Sequence, residues 1–247
     1  VGSAAMKNVL RNKLKFDSLV WLAARLSPDL CCSHSSMIHS SAASIDRPKL
    51  LADPTARRKR GEDLLAPHMV PLRDFVQSLR NEIGPGASVP DFDPWDGGTA
   101  AEILFLLEAP GAKAVFSGFI SRNNPDETAK NFFELNAQAG IPRERTITWN
   151  IVPWYIGSGS RIRPANNRDV TLGASSLLRL LDLLPALRIV VLIGRKAEYA
   201  KDIISRSRPE MRILKSPHPS PLFVNNAPGN RGRILDVLRE ALRLLEA

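Results

Sequence analysis

Cysteine is almost missing from this 247-residue chain: there are two, Cys31 and Cys32, next to each other. Adjacent cysteines cannot build a disulfide framework, and they fall short of a four-cysteine zinc or iron–sulfur centre. A reducing compartment is therefore expected. The four histidines, His34, His39, His68 and His218, show no H-x-x-x-H spacing, so no metal and no other cofactor is expected. No run of about eighteen apolar residues occurs, which excludes a membrane-spanning helix. A cytoplasmic location, associated with a bacterial nucleoid, is the expectation. The G-x-x-x-x-G-K-[ST] order of a phosphate-binding loop is missing as well. No repeat of solenoid type is visible.

Acidic residues are also in short supply, 25 against 34 lysines and arginines, for a net charge of +9. That balance favours polyanionic partners: nucleic acid first, an anionic membrane surface second. A basic protein that is merely soluble is the plainer alternative. A hydrophobic content of 44% is ordinary for a globular chain. Residues 1–48 read as a mobile N-terminal extension. Val1 to Ala5 look like a cloning remnant before Met6, a Ser-rich stretch runs from Ser33 to Ser44, and Met37 could be a start. Residues 49–247 read as a single domain.

Residues 55–83 place Leu64, Leu65, Leu72, Phe75, Val76 and Leu79 at helical spacing, with Pro67 and Pro71 breaking the run. Glycines and prolines make 84–98 a loop. Strands and helices then alternate. Strands are predicted at Glu102–Glu108, Thr146–Val152, Arg188–Ile193 and Met211–Leu214. Helices are predicted at Asp126–Ala139, Asn167–Leu184, Arg195–Ser205 and Arg231–Leu245. Such alternation implies an α/β fold, a three-layer α/β/α sandwich around a four-stranded parallel sheet. Ligands of such sheets bind beyond the carboxyl ends of the strands.

Three polar residues leave those ends. Glu108 closes an apolar strand and opens Glu108-Ala109-Pro110-Gly111, a turn whose backbone can approach a ligand. Its carboxylate could orient water or stabilise positive charge, or be purely structural. Asn150 is a lone amide in an apolar strand, costly unless hydrogen-bonded. Its donor and acceptor match the N3–H and O4 edge of a pyrimidine, or cap local backbone. His218 is clamped between Pro217 and Pro219, placed to donate to an oxygen on which charge develops. Leu222 and Phe223 follow as an apolar wedge beside Arg231 and Arg233, unless both fold into the core. Phe116 and Phe119 are candidates to stack a base, with one of them in the core. Trp149, Trp154 and Tyr155 flank Asn150. Arg161 and Arg163 sit in a flexible Gly-Ser loop suited to a DNA backbone.

His218-Pro219-Ser220-Pro221-Leu222 resembles the second motif of the uracil-DNA glycosylase superfamily. The resemblance covers roughly residues 100–240. It implies that His218 contacts uracil O2, that Ser220 and Leu222 belong to the DNA-contacting loop, and that Leu222 wedges into the stack. Glu108-Ala109-Pro110-Gly111 resembles the first motif of the iron–sulfur branch, and Asn150 falls where the uracil-reading Asn is expected. The chain departs from the family at Ala109, where the best-known branch has a catalytic Asp. Leu107 replaces a usual Gly, and Gly111 stands where a Tyr excludes thymine. The cluster cysteines are missing too. The resemblance implies a cluster-free, monomeric DNA repair enzyme. It would flip uracil out of double- or single-stranded DNA and hydrolyse the N-glycosidic bond. His218, Glu108 and Asn150 are then catalytic, and Ala109, Pro110, Gly111, Phe119, Asn150 and His218 hold the base. Ser220, Leu222, Phe223, Arg161, Arg163 and Arg231 contact DNA. A non-catalytic binder of damaged or single-stranded DNA, and a nucleotide-binding α/β protein, are the alternatives.

Overall fold

The computed structural model describes residues 45–158 and 161–247. The predicted extension therefore lies outside the described residues as far as residue 44. In chain order the elements are α1 (Pro54–Asp63), α2 (Val70–Ile83), β1 (Asp91–Phe92), β2 (Ile103–Leu107), α3 (Ala112–Ser117) and β3 (Phe119–Ile120). Next come α4 (Glu127–Ala139), β4 (Thr146–Asn150), a small hairpin of β5 (Gly157–Ser158) and β6 (Arg161–Ile162), and α5 (Asn167–Asp182). The chain ends with β7 (Ile189–Ile193), α6 (Ala200–Ser207), β8 (Arg212–Ser216), α7 (Pro221–Val224) and α8 (Asn230–Glu246).

The central sheet is parallel and runs β4-β2-β7-β8. Every residue of β7 is buried, and of β2 all but Leu107. Alternate side chains enter two separate cores. Leu104 and Leu106 of β2 join Ile147 and Trp149 of β4 beneath α2 and α5. Ile103 and Phe105 face α4 and α8 with Phe132, Leu135, Ile234 and Leu238. Each such side chain contributes about 1.5–3 kcal/mol relative to exposure. Helices on both faces of the sheet give the expected three layers.

Capping residues explain where the helices start and stop. Asp126 accepts a hydrogen bond from the Ala129 N–H at 2.9 Å and starts α4; Gly140, in the left-handed region at φ 74°, ends it. Asn166 and Asp169 form a reciprocal capping box at the head of α5. The broken run over 55–83 separates into α1 and α2 around Pro67, as the prolines require.

Five short elements carry no sequence periodicity. β1 and β3 pair over two residues each, β5 and β6 likewise, and the four-residue α7 follows His218. The predicted Arg195–Ser205 helix begins instead with a tight turn at Ala197–Tyr199. Strand order reverses at β2: the chain steps out to β4, returns past β2 to β7, and continues to β8. The crevice at such a reversal, outside the carboxyl ends, is where an open α/β sheet binds its ligand.

Candidate active site

A cavity of about 500 Å³ occupies this crevice. It brings together Glu108 from the end of β2, Asn150 from the end of β4, and His218 from the turn after β8. Ala109, Pro110 and Gly111 form part of its wall. The predicted strand-end residues thus meet in space although up to 110 positions separate them in the chain.

Each is held differently. Glu108 turns out of β2 and accepts a hydrogen bond from the Ala165 backbone N–H at 2.6 Å, just ahead of α5. Asn150 is 4% exposed. Among the described residues its side-chain amide makes no hydrogen bond with the protein, so both its donor and its acceptor remain available to a ligand. Gly111 is exposed, and a Cβ built there meets nothing within 4 Å.

His218 rests against the end of β7. Gly194 adopts φ +81°, and a Cβ added there would lie 3.5 Å from His218 Cβ and 3.6 Å from Cδ2. The Asn131 side chain donates to the Pro219 carbonyl at 3.0 Å, tying the loop to α4. Burial lowers the His218 pKa from its ordinary value, against the opposing pull of Glu108 and Asp126. The ring is therefore neutral near pH 7, with one N–H to donate.

Several expected residues lie elsewhere. Phe119 pairs with Asp91 across β1 and β3, is 5% exposed, and does not line the cavity. The aromatic side chain in the lining is Phe132 of α4, whose ring meets Phe105 edge-on at 5.0 Å. Trp149 points to the opposite face of the sheet, where it stacks on Phe92 at 3.9 Å. Leu222 is 85% exposed on α7, whereas Phe223 is half-buried against the core of α4 and α8. Phe223 is thus not part of an exposed wedge: α7 turns it inward while Leu222 points outward. Ser220 is the N-cap of α7.

The cationic residues divide similarly. Arg161 is exposed. Arg163 is paired with Asp169 at 2.6 Å, and Arg231 with Glu134 at 3.1 Å.

Sequence reasoning passed over Thr148 and Arg122, which both line the cavity. Thr148 precedes Asn150 by two positions on one face of β4, so strand alternation could have revealed it. Arg122 follows a two-residue strand and carries no such signal. It donates to Thr146 Oγ1 at 2.6 Å and belongs to a buried network that also contains Arg60, Asp93, Asp96 and Arg143. Arg143 reaches Asp93 at 2.6 Å and Asp96 at 2.8 Å.

The family model described as Uracil DNA glycosylase superfamily matches residues 94–243, more than half of the chain and all three rim residues. This chain belongs to the uracil DNA glycosylase superfamily. Its function is accordingly that of a glycosylase-like hydrolase acting on DNA. No curated protein matches this superfamily member. Among solved structures it is similar to a protein of Methanosarcina acetivorans, determined by solution NMR as a candidate uracil DNA glycosylase. Identity is 18%, the TM-score is 0.41, and the match covers 57% of this chain and 91% of that one. An iron–sulfur cluster, held elsewhere in the superfamily, does not fit the donors of this member: four thiolates are needed and the whole chain has two, side by side.

Proposed function

We propose that this protein flips uracil out of DNA and hydrolyses its N-glycosidic bond, leaving an abasic site. The observation that carries this reading is the convergence of Glu108, Asn150 and His218 on one cavity at the sheet's reversal point. Flipping costs a few kcal/mol, offset when the base enters the cavity and Leu222 fills the space it leaves. The Asn150 amide reads the N3–H and O4 edge of the base. As the bond between C1′ and N1 breaks, its electron pair moves onto uracil and concentrates on O2. The neutral His218 ring donates a hydrogen bond to that oxygen. The sugar gains oxocarbenium character. Water adds its oxygen to C1′ and its proton passes through solvent to neutralise the departing uracil anion, with Glu108 orienting the water and balancing positive charge on the sugar. Phe132 takes the stacking part expected of Phe119. Arg161 and, once freed from their carboxylates, Arg163 and Arg231 contact backbone phosphates.

Every residue lining the cavity comes from 49–247, which the reading takes as one domain of a monomer. A chain truncated to begin at Met37 is expected to keep full activity. Among the described residues no helix is long and apolar enough to cross a membrane.

The test is a uracil-containing oligonucleotide incubated with the protein and then treated with alkali. An abasic site breaks under alkali, so scission at the uracil position is expected. Tight binding without scission would replace the reading with that of a non-catalytic binder, which Ala109 in the usual Asp position favours.

A further inference from the structure

Outside the cavity, α3 presents Phe116 to solvent, 56% exposed. The ring is not isolated. The Arg57 guanidinium of α1 lies 4.6 Å from its centroid, and Lys113 Nζ lies 5.7 Å away. Arg57 is fixed in place by donating to the Leu51 and Ala52 carbonyls, each at 2.9 Å. Among the described residues Lys113 makes no ion pair, and neither does the neighbouring Arg58 of α1. Lys113 also lines the cavity, as do Ala112 and Ala114, so the ring stands within one helical turn of the cavity wall.

An exposed aromatic ring flanked by unneutralised cations is the pairing that single-stranded nucleic acid requires. The ring offers a face to a base, and the cations meet the phosphates on either side. Every base has a π-face, so such a platform needs no sequence. Arg57 ties α1 to one side of the ring, while Lys113 gains no ion pair among the described residues and stays available to a phosphate.

We propose that Phe116, with Arg57 and Lys113, is a stacking platform for an unpaired nucleotide of the DNA strand that feeds the cavity, next to the flipped one. The inference rests on the glycosylase reading for what enters the cavity, but the platform itself acts on undamaged DNA. It favours single-stranded or locally melted DNA over intact duplex. A nucleotide beside a flipped base has lost one stacking neighbour, and Phe116 supplies another.

The experiment measures binding of the full chain to a fluorescent single-stranded oligonucleotide without uracil, and to the matching duplex. For Phe116→Ala the single-strand Kd is expected to rise roughly tenfold or more, with the duplex Kd unchanged and Phe116→Trp at or below the wild-type Kd. Lys113→Gln is expected to flatten the salt dependence of single-strand binding by about 0.7 in log–log slope. Excision from a single-stranded uracil substrate is expected to show a raised KM at unchanged kcat for Phe116→Ala. Wild-type single-strand affinity in Phe116→Ala, or an equal loss on duplex, overturns the proposal. So does self-association of the wild type that Phe116→Ala abolishes. If the wild type binds single strands through Phe116 yet leaves uracil in place, the glycosylase reading fails and the platform stands.

Discussion

His218 shows how much one residue can owe to its two neighbours. Pro217 and Pro219 restrict its backbone, Asn131 ties down the Pro219 carbonyl, and the ring packs beside the glycine turn at 194, whose φ of +81° favours glycine. One oxyanion donor contributes about 3–4 kcal/mol to lowering the barrier. His218→Ala is therefore expected to slow uracil excision by roughly two to three orders of magnitude. DNA binding should be nearly unchanged, since the proposed phosphate contacts lie elsewhere; single-turnover kinetics beside a binding titration would check both. A fully active His218→Ala protein removes the mechanism. The pH dependence follows from the lowered His218 pKa. Above the ordinary histidine value of 6.5 both folded and unfolded states keep the ring neutral. Below it the unfolded state takes up the proton first, so stability falls as pH falls and does not fall as pH rises. An NMR titration of the ring should place its midpoint below 6.5. At this scale the sequence was legible where strand ends place polar side chains, since Glu108, Asn150 and His218 meet at one cavity. It was read poorly where a side chain only packs. Phe119 and Phe132 both sit in apolar patterns, and tertiary contacts alone decide which of them lines the cavity.

Among the elements, α5 has a position that no residue pattern announces. A Cβ at Gly173 would fall 1.9 Å from the Ile151 carbonyl oxygen, so this helix lies directly on the chain leaving β4. The same helix begins just after the Ala165 N–H that holds Glu108. Gly173→Ala would force α5 away from the backbone of β4. The cost is about 1–3 kcal/mol, read as a fall in Tm of roughly 2–12 °C. Excision should weaken as well, because Glu108 and the strand end bearing Asn150 move with the helix. A variant with wild-type Tm and activity would show that the contact is slack. Long elements were legible because burial repeats along them, as in Ile103–Leu107 and Ile189–Ile193. The two-residue pairs Asp91–Phe92 with Phe119–Ile120 and Gly157–Ser158 with Arg161–Ile162 hold too few residues to form a period. The short α7 has the same weakness, and it is α7 that separates exposed Leu222 from inward Phe223.

For the molecule as a whole, the buried charges behind the cavity matter most for acid stability. Burial alone would raise the Asp93 pKa, but Arg143 and Arg60 outweigh it and hold the carboxyl down at about 2. Asp96, more heavily desolvated relative to its partners, is raised instead. An Asp93 that stays ionised in the fold below the unfolded value of 3.8 adds stability above that value, lost as pH falls toward about 2. Thermal melts followed by circular dichroism should show Tm dropping over that interval. Asp93→Asn should flatten the drop and cost roughly 3–5 kcal/mol at neutral pH, because Arg60 is left buried without its carboxylate, while Arg143 keeps Asp96 and Asp46. An unchanged melting curve in Asp93→Asn would remove this account of the network. Nothing in the order of Arg60, Asp93, Asp96, Arg122 and Arg143 along the chain gives the cluster away, since it closes only when α1 and the loops around β1, β3 and β4 meet.

The indole of Trp149 has an optical consequence. It is fully buried, stacked on Phe92, and its Nε1 has no hydrogen-bond partner among the described residues. An excited indole relaxes to longer wavelength only when dipoles around it reorient, and this one is walled by hydrocarbon. Trp149 should therefore emit at the blue edge of the tryptophan range and shift to the red when the core opens. Because it directly precedes Asn150, the same light would report on the strand end that lines the cavity.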